Sequence, residues 1–248
     1  MLQRFLKAHL LWPTAFALAG LAILVGLGTW QLERKRWKEG LLAKIAERVE
    51  APPVPLQEVV RRARAGEDVA YLHVTAQGRF LHDKERYLYA PAPGGLTWHV
   101  YTPLETSPSQ IVWVNRGAVP DARKPPAMRE DGQVAGPQTV TGLARAQIGK
   151  ALFAPENDAR QNIWYWPDVA AMTASAFGSR PPDPAPLWID ADARPEPPGG
   201  VPRGGVTRIA LPNRHLEYAI TWYGLALALV AVFLAFCAKR LRSAGARS

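Results

Sequence analysis

The stretch LLWPTAFALAGLAILVGLGTWQL, residues 10–32, contains no Asp, Glu, Lys, Arg or His. A second uncharged stretch, AITWYGLALALVAVFLAFCA, occupies residues 219–238 near the other end of the chain. Each is long enough to cross a hydrocarbon core of about 30 Å at about 1.5 Å per helical residue. The sequence therefore predicts two transmembrane helices, over residues 10–32 and 218–238, and both crossings leave residues 33–217 on one side of a membrane.

Charge is distributed unevenly between the middle of the chain and its two tails. All 21 acidic residues lie in the middle, whereas six of the 30 basic residues lie in the tails, residues 1–9 and 239–248. An excess of Lys and Arg marks the cytoplasmic side of a membrane. The basic run at residues 34–38 opposes this interpretation, but long loops cross largely regardless of charge. We expect both tails in the cytoplasm and residues 33–217 in the periplasm, at a bacterial inner membrane.

The alternative for the first apolar segment is a cleaved signal peptide. Its apolar run exceeds the usual length of about 7 to 15 residues, and its best small-x-small site is only Gly26-Leu27-Gly28. An uncleaved anchor is therefore the favoured interpretation. The net charge of +9 then reflects membrane topology rather than nucleic-acid binding.

The sequence lacks the common catalytic and metal-binding motifs. The single cysteine, Cys237, lies in the second apolar segment, so the middle region contains no disulfide. The five histidines show no metal-ligand spacing. Neither a G-x-S-x-G elbow nor a phosphate-binding Gly-rich loop is present. We therefore expect no catalytic residues and no enzymatic activity.

The middle region changes from helical to β patterning along the chain. Helical spacing predicts a continuation of the first helix through residues 33–50, then helices at 56–64 and 168–177. Runs rich in β-branched and aromatic residues predict strands at 71–76, 86–89, 97–104, 111–116, 139–145 and 187–190. The predicted fold is a β-rich α+β external domain, an antiparallel sheet or partly closed barrel, flanked by two transmembrane helices. The Pro-rich residues 180–202 are expected to form a turn-rich connection.

Several short motifs occur in order along the chain and together resemble the Surfeit locus protein family. They are LGTWQLERK at 27–35 with WK at 37–38, YLHV at 71–74, GRF at 78–80, TPL at 102–104, VWVNRGAVP at 112–120, NRHLEYA at 213–219 and TWYGLA at 221–226. Each motif is weak alone, whereas the ordered set spans most of the chain and agrees with the plan of two transmembrane helices.

The resemblance implies a biogenesis factor for cytochrome c oxidase. Such a factor binds heme a and assists its delivery to, or stabilisation in, the oxidase large subunit. The implied partners are this subunit, other oxidase assembly factors and the lipid bilayer, without nucleic acid. Two alternatives stay open: a structural membrane scaffold for oxidase subunits that does not bind heme, and, ranked last, a membrane-tethered enzyme.

His215 is the candidate axial ligand for heme, and heme iron is the only metal that we expect. If a helix begins at this residue, His215, Tyr218, Ala219 and Trp222 share one helical face. A neutral imidazole is a common axial ligand of heme iron, and histidine is mostly neutral at pH 7. The alternative is that His215 only caps the helix or lies at the membrane interface, as polar residues at the ends of spans often do.

Basic and aromatic residues near the outer ends of both segments complete the predicted heme environment. The candidates for pairing with heme propionates are Arg214, Arg208, Arg34 and Arg36. Tyr218 and Trp222 are candidates for contact with the ring, although an aromatic belt at the membrane interface explains them equally simply.

Two further sets of residues have a packing role as their first interpretation. The pairs Ala22/Gly26 and Gly224/Ala228 have the small-xxx-small spacing that lets membrane helices approach closely. Arg116 and the cluster Trp164-Tyr165-Trp166 are expected in the core or at strand ends, with docking of a partner as the alternative.

Overall fold

A computed structural model describes residues 10–93, 95–147, 149–207 and 213–245 of the protein. The chain divides into two compact units. One unit contains the first long helix up to Lys44 together with the last helix, and the other comprises Ile45–Arg208, which includes the last six residues of the first helix.

The helical unit is built from α1 (Leu11–Glu50) and α4 (His215–Gly245). Within the described part of the chain, these two helices are long and apolar enough to cross a membrane. The predicted continuation through residues 33–50 is confirmed, since α1 ends at Glu50. At about 1.5 Å per residue, α1 is about 60 Å long, twice the thickness of a hydrocarbon core. The membrane boundaries at residues 10–32 and 218–238 stay predictions.

Small residues bring α1 and α4 close together. A Cβ atom at Gly28 would lie 2.8 Å from the Tyr223 ring, and one at Gly20 would lie 3.3 Å from Leu229 Cδ2. On α4, Ala219 and Ala226 are buried. The predicted pairs Ala22/Gly26 and Gly224/Ala228 are wrong, because all four residues are exposed. Small-xxx-small spacing occurs on several faces of both helices, so spacing alone does not identify the contacting face.

The second unit is an eight-stranded sheet. Its strands are β1 (Val54–Pro55), β2 (His73–Phe80), β3 (Arg86–Tyr89), β4 (Thr97–Ser107), β5 (Gln110–Pro120), β6 (Pro137–Ala146), β7 (Ile163–Trp164) and β8 (Asp183–Ala191). Their order is β1-β2-β6-β8-β5-β4-β3-β7, and a further pairing of β2 with β4 closes five of them into a barrel.

The closed ring runs β2-β6-β8-β5-β4 and returns to β2. A ring of five strands cannot be antiparallel throughout, because five reversals would leave the first strand pointing against itself. The parallel pair in this ring is β5 with β8. At the closure, Gly78 faces the Glu105 carbonyl so closely that a side chain would collide with it.

The barrel interior is filled by apolar side chains from alternating positions of its strands. Examples from three strands are Leu104, Val112 and Ile189, none of which has exposed surface. The helix α2 (Leu56–Arg64), at the predicted bounds, adds Leu56 and Val59 to this core. The predicted β-rich domain and its barrel are therefore confirmed.

A second apolar layer covers part of the outer face of the barrel. The helix α3 (Val169–Phe177) begins where the Asp168 side chain accepts a hydrogen bond from the Ala171 N–H. Met172 of α3 packs with Trp113 and Trp164 in this layer, and all three are fully buried. The Trp113 indole N–H donates to Thr173 Oγ1 at 2.9 Å.

The expectation of a turn-rich connection at residues 180–202 is wrong in its first half, because β8 lies there. The strand predicted at 187–190 is confirmed, and only its start at Asp183 was missed, since proline cannot donate to a strand ladder. Pro184 and Pro186 occupy the start of the strand, where the register with β5 is irregular and pairing with β6 has not begun. Regular pairing starts at Leu187, after the last of these prolines.

Candidate functional site

His215 is the first residue of α4, as the predicted helical face requires. Its side chain is half-buried, and its Nδ1 atom lies 2.7 Å from Oε1 of Gln31 on α1. With the amide oxygen of Gln31 facing the ring, Nδ1 carries the proton and donates, since an amide oxygen only accepts hydrogen bonds. The neutral ring therefore has its lone pair on Nε2, the atom that remains for a ligand bond.

The two neighbours of His215 on the predicted face have different environments. Trp222, two turns further along α4, is half-buried beside the buried Ala219. Tyr218 is 52% exposed at the edge of this face. The structure thus leaves His215 and Trp222 half-buried on the face of α4 that contains Ala219, and leaves Tyr218 exposed at its edge.

The predicted propionate-binding arginines do not form one cluster among the described residues. Arg214 is paired with Glu217 at 2.8 Å, and the Arg34 guanidinium lies 4.0 Å from the centre of the Trp37 ring. Arg36 is exposed and follows Arg34 by two residues, which places it about 200° away around the helix. Arg208 lies outside the described residues.

The barrel unit contains a polar centre of a different kind, around the buried Glu85. The Glu85 side chain is 2% exposed and directly precedes β3. Arg129, whose side chain has no exposed surface, donates to both carboxylate oxygens. Arg116 Nη1 lies 3.4 Å from Oε1, and the Tyr87 hydroxyl donates to Oε2 at 3.1 Å. We call these residues and the nearby His82 the Glu85 cluster.

The charges of the Glu85 cluster compensate one another. Burial raises the pKa of the Glu85 carboxyl, but His82 and Arg129, together with the charge of Arg116, lower it to about 2. Burial lowers the pKa of Arg116 to about 10 despite the attraction of Glu85. The carboxylate and both guanidinium groups are therefore charged at neutral pH, and the carboxylate is held by its partners.

The ordered motifs noted in the sequence lie within a longer match between this chain and a protein-family model. The model of the SURF1 family matches residues 18–227. The chain belongs to the SURF1 family. It is 37% identical to Surfeit locus protein 1 of Mus musculus over 84% of this chain and 70% of the relative. It is 36% identical to the Homo sapiens protein over 82% and 70%, and 33% identical to a SURF1-like protein of Monosiga brevicollis over 91% and 88%.

SURF1 proteins are known as cytochrome c oxidase assembly factors. The family match includes the barrel, parts of both long helices, and the contact between Gln31 and His215. Within the described residues, no group of three or more His, Cys, Asp or Glu side chains is arranged to hold a metal ion.

Sequence reasoning missed the Glu85 cluster, although it noticed Arg116. The interpretation of Arg116 as a core residue agrees with its 9% exposed side chain. Arg129 follows Glu85 by 44 residues, and no repeated spacing connects the two. Within the predicted Trp cluster, Trp164 is fully buried, whereas Tyr165 is 38% exposed and Trp166 lines a cavity.

Proposed function

We propose that this SURF1 family member is a membrane-anchored biogenesis factor that binds heme a as cargo during assembly of cytochrome c oxidase. His215 Nε2 is the axial ligand in this proposal. The protein acts as a carrier rather than an enzyme, and assists delivery of heme a to the oxidase large subunit or its stabilisation there. Other assembly factors and the bilayer are its further partners.

The observation that carries the proposal is the hydrogen bond between His215 and Gln31. Histidines that bind metals characteristically donate their other N–H to an oxygen acceptor, which fixes the tautomer and raises the basicity of the ligand. Gln31 supplies this acceptor at 2.7 Å, from a helix that is 184 residues distant in sequence. If His215 only capped α4, this role alone would not require a partner on α1 that holds the proton on Nδ1.

The surroundings of His215 suit an amphipathic cargo. The apolar segments of both helices extend in one direction from it, and charged residues such as Arg34 and Arg214 lie in the other. A heme lying across this boundary has its ring among apolar side chains and its propionates near exposed guanidinium groups. Arg34 and Arg36 face different sides of α1, so we expect one of them, rather than both, to contact the cargo.

A structural scaffold without heme remains the second candidate, and the same hydrogen bond favours it in another way. The contact joins α1 to α4, as does the contact of 3.1 Å between Thr29 Oγ1 and the Tyr223 hydroxyl. Interhelical hydrogen bonds stabilise helix pairs in membranes. If this were the whole role of His215, its replacement would affect stability and leave bound heme unchanged.

The visible absorption spectrum of the purified protein, made in cells that synthesise heme a, separates the two candidates. We expect a heme band in the wild type and its loss in His215→Ala, because the substitution removes the imidazole that forms the bond to iron in this proposal. His99→Ala, on β4 of the barrel unit, is the control and should keep the band. A wild type without heme, or His215→Ala with the wild-type heme content, would favour the scaffold.

We further propose that residues 1–9 and 239–248 lie in the cytoplasm and residues 33–217 in the periplasm. Fusions to alkaline phosphatase after Gly40 and after Ser248 test this arrangement. The enzyme should be active in the first fusion and inactive in the second. The reverse result would place the barrel unit, and with it the candidate ligand, on the opposite side of the membrane.

A further inference from the structure

A cavity of about 770 Å³ opens on the outer face of the barrel. Its floor is formed by side chains from neighbouring barrel strands: Tyr101 of β4, Asn115 of β5, Trp188 of β8 and Arg145 of β6. One wall is formed by Trp166 and the preceding loop, which includes Ala151. All the residues that line the cavity belong to the barrel unit.

Two nitrogen donors among the lining residues lack an acceptor. Arg145 Nη1 and Trp166 Nε1 are buried atoms without a hydrogen-bond partner in the part of the chain that the structure describes. A buried donor without an acceptor costs about 1 to 3 kcal/mol, so native proteins rarely tolerate one. Both residues line the same cavity, so an oxygen-bearing occupant of that cavity is the acceptor that would satisfy these donors.

The Arg145 guanidinium is held in place by other contacts. It lies 4.5 Å from the centre of the Tyr71 ring, and its Nε atom is 3.6 Å from Asp190 Oδ2. These contacts use one face and one edge of the planar group. A guanidinium anchored in this way presents its remaining N–H groups in a fixed direction, as carboxylate recognition requires.

Asp190 does not compete for the two free donors. Its Oδ1 atom accepts from Asn115 Nδ2 at 2.9 Å and from the Trp188 indole at 3.1 Å. Its Oδ2 atom accepts from the Thr207 hydroxyl at 2.7 Å. The carboxylate therefore already accepts hydrogen bonds on both oxygens. It positions Arg145 through the Nε atom, which leaves the Nη1 atom without an acceptor among the described residues.

We propose that this cavity binds a carboxylate on an apolar or aromatic body, with Arg145 Nη1 and Trp166 Nε1 as the donors. The rings of Tyr101, Trp166 and Trp188 provide the surface for the apolar part. By analogy, five-stranded OB-fold barrels bind ligands on the face of their second and third strands and on the adjoining loops. Here β4 and β5 are the second and third strands of the ring in chain order.

Two sources supply this chemistry: the C-terminal carboxylate of a peptide segment, or a small amphipathic acid. The neighbouring loop supports a partner with an apolar part, since Leu152 is 87% and Phe153 is 93% exposed one and two residues beyond Ala151. The proposal does not depend on heme binding by His215.

Titration of the full-length protein in detergent, followed by the indole N–H signals of ¹⁵N-labelled tryptophan, tests the proposal. The probes are phenylpropionate and acetyl-Ala-Phe with a free carboxylate, each compared with its amide. We expect at least one of the two acids to shift the Trp166 indole signal until it saturates. Each amide should bind at least tenfold more weakly than the corresponding acid. Tighter binding of the peptide acid identifies a peptide source, and tighter binding of phenylpropionate identifies a small acid.

Variants then assign the donors by calorimetric titration. Arg145→Gln should weaken binding of the better acid at least tenfold, whereas Arg160→Gln, at an exposed arginine outside the cavity, should leave it unchanged. Because the loss of Arg145 leaves Asp190 with fewer partners, Trp166→Phe provides a milder test that keeps the ring and removes one donor. It should weaken binding several-fold. No saturable shift in the wild type, or unchanged affinity in both cavity variants, would overturn the proposal.

Discussion

The Glu85 cluster and the His215–Gln31 pair differ in how completely their polar groups are paired. In the Glu85 cluster, Arg129 donates to both oxygens of the buried carboxylate, and Arg116 and Tyr87 contact it as well. At the helix pair, His215 is half-buried and uses one ring nitrogen on Gln31, which leaves the other for a ligand. Full pairing suits a stabilising role, whereas incomplete pairing suits binding.

Loss of the Glu85 carboxylate should produce the largest change in stability. Glu85→Gln leaves Arg129 and Arg116 buried without their counter-charge, which typically costs about 3 to 5 kcal/mol. Urea unfolding of the full-length protein in detergent measures this cost. The control is Glu105→Gln, which breaks the more exposed pair with Arg79 and should cost less than about 1 kcal/mol. Equal effects of the two variants would refute the distinction between the centres.

The same carboxylate should make the barrel unit sensitive to acid. The pKa of Glu85 is about 2 in the folded protein, against about 4.3 for an unperturbed glutamate. A lowered pKa contributes stability above the unfolded pKa, and this contribution is lost as the pH falls towards the folded pKa. At about 1.36 kcal/mol per unit, about 3 kcal/mol should disappear between pH 5 and pH 2. Unfolding curves of Glu85→Gln over this range should be flatter than those of the wild type.

Changes at Gln31 should affect the binding centre without affecting the barrel. Gln31→Ala removes the acceptor of the His215 proton, and loss of such a partner typically lowers metal affinity about 10- to 100-fold. Gln31→Glu keeps an acceptor and should retain the heme. Thr29→Val is the matched control, because it removes the other contact between the helices, that with Tyr223, and leaves His215 intact. Equal heme loss in Thr29→Val and Gln31→Ala would indicate helix packing rather than ligand support.

The smallest expected change in stability is the difference between the same substitution, glycine to alanine, at two positions of α1. Gly28→Ala places a Cβ atom against the Tyr223 ring, whereas Gly26→Ala meets nothing within 4 Å. Overpacking at Gly28 should cost about 1 kcal/mol relative to Gly26→Ala, or about 2 to 4 °C in Tm. Thermal unfolding followed by helical circular dichroism measures the difference. Identical Tm values for both variants would mean that α1 and α4 do not pack closely at Gly28.

Local sequence signals predicted most of the regular elements. The helix α2 and the strand β3 were predicted at their observed bounds, because Pro and Gly residues delimit the runs around them. The strands β1 and β7 were missed, since two residues are too few to show an alternating pattern. The strand predicted at 187–190 was confirmed, whereas the start of β8 was obscured by prolines at a register irregularity.

Contacts between polar side chains were harder to predict from the sequence than the helices and strands. The position of His215 at the start of a helix was visible in the sequence, but its contact with Gln31 joins residues 184 positions apart. Likewise, Arg145 and Asp190 looked like strand residues before β6 and β8 brought them together. Such contacts depend on the register of the sheet and the packing of the helices, which no local pattern determines.

The proposal that His215 is the axial heme ligand is tested most directly by rescue of a His215 variant with free imidazole. His215→Gly removes the imidazole ring and opens space for a free imidazole beside Gln31. The visible spectrum of the purified variant, made in cells that synthesise heme a, should lack the heme band. Addition of imidazole together with heme a should restore a band like that of the wild type. A variant that carries the wild-type heme band without imidazole would contradict the assignment of His215 as the ligand.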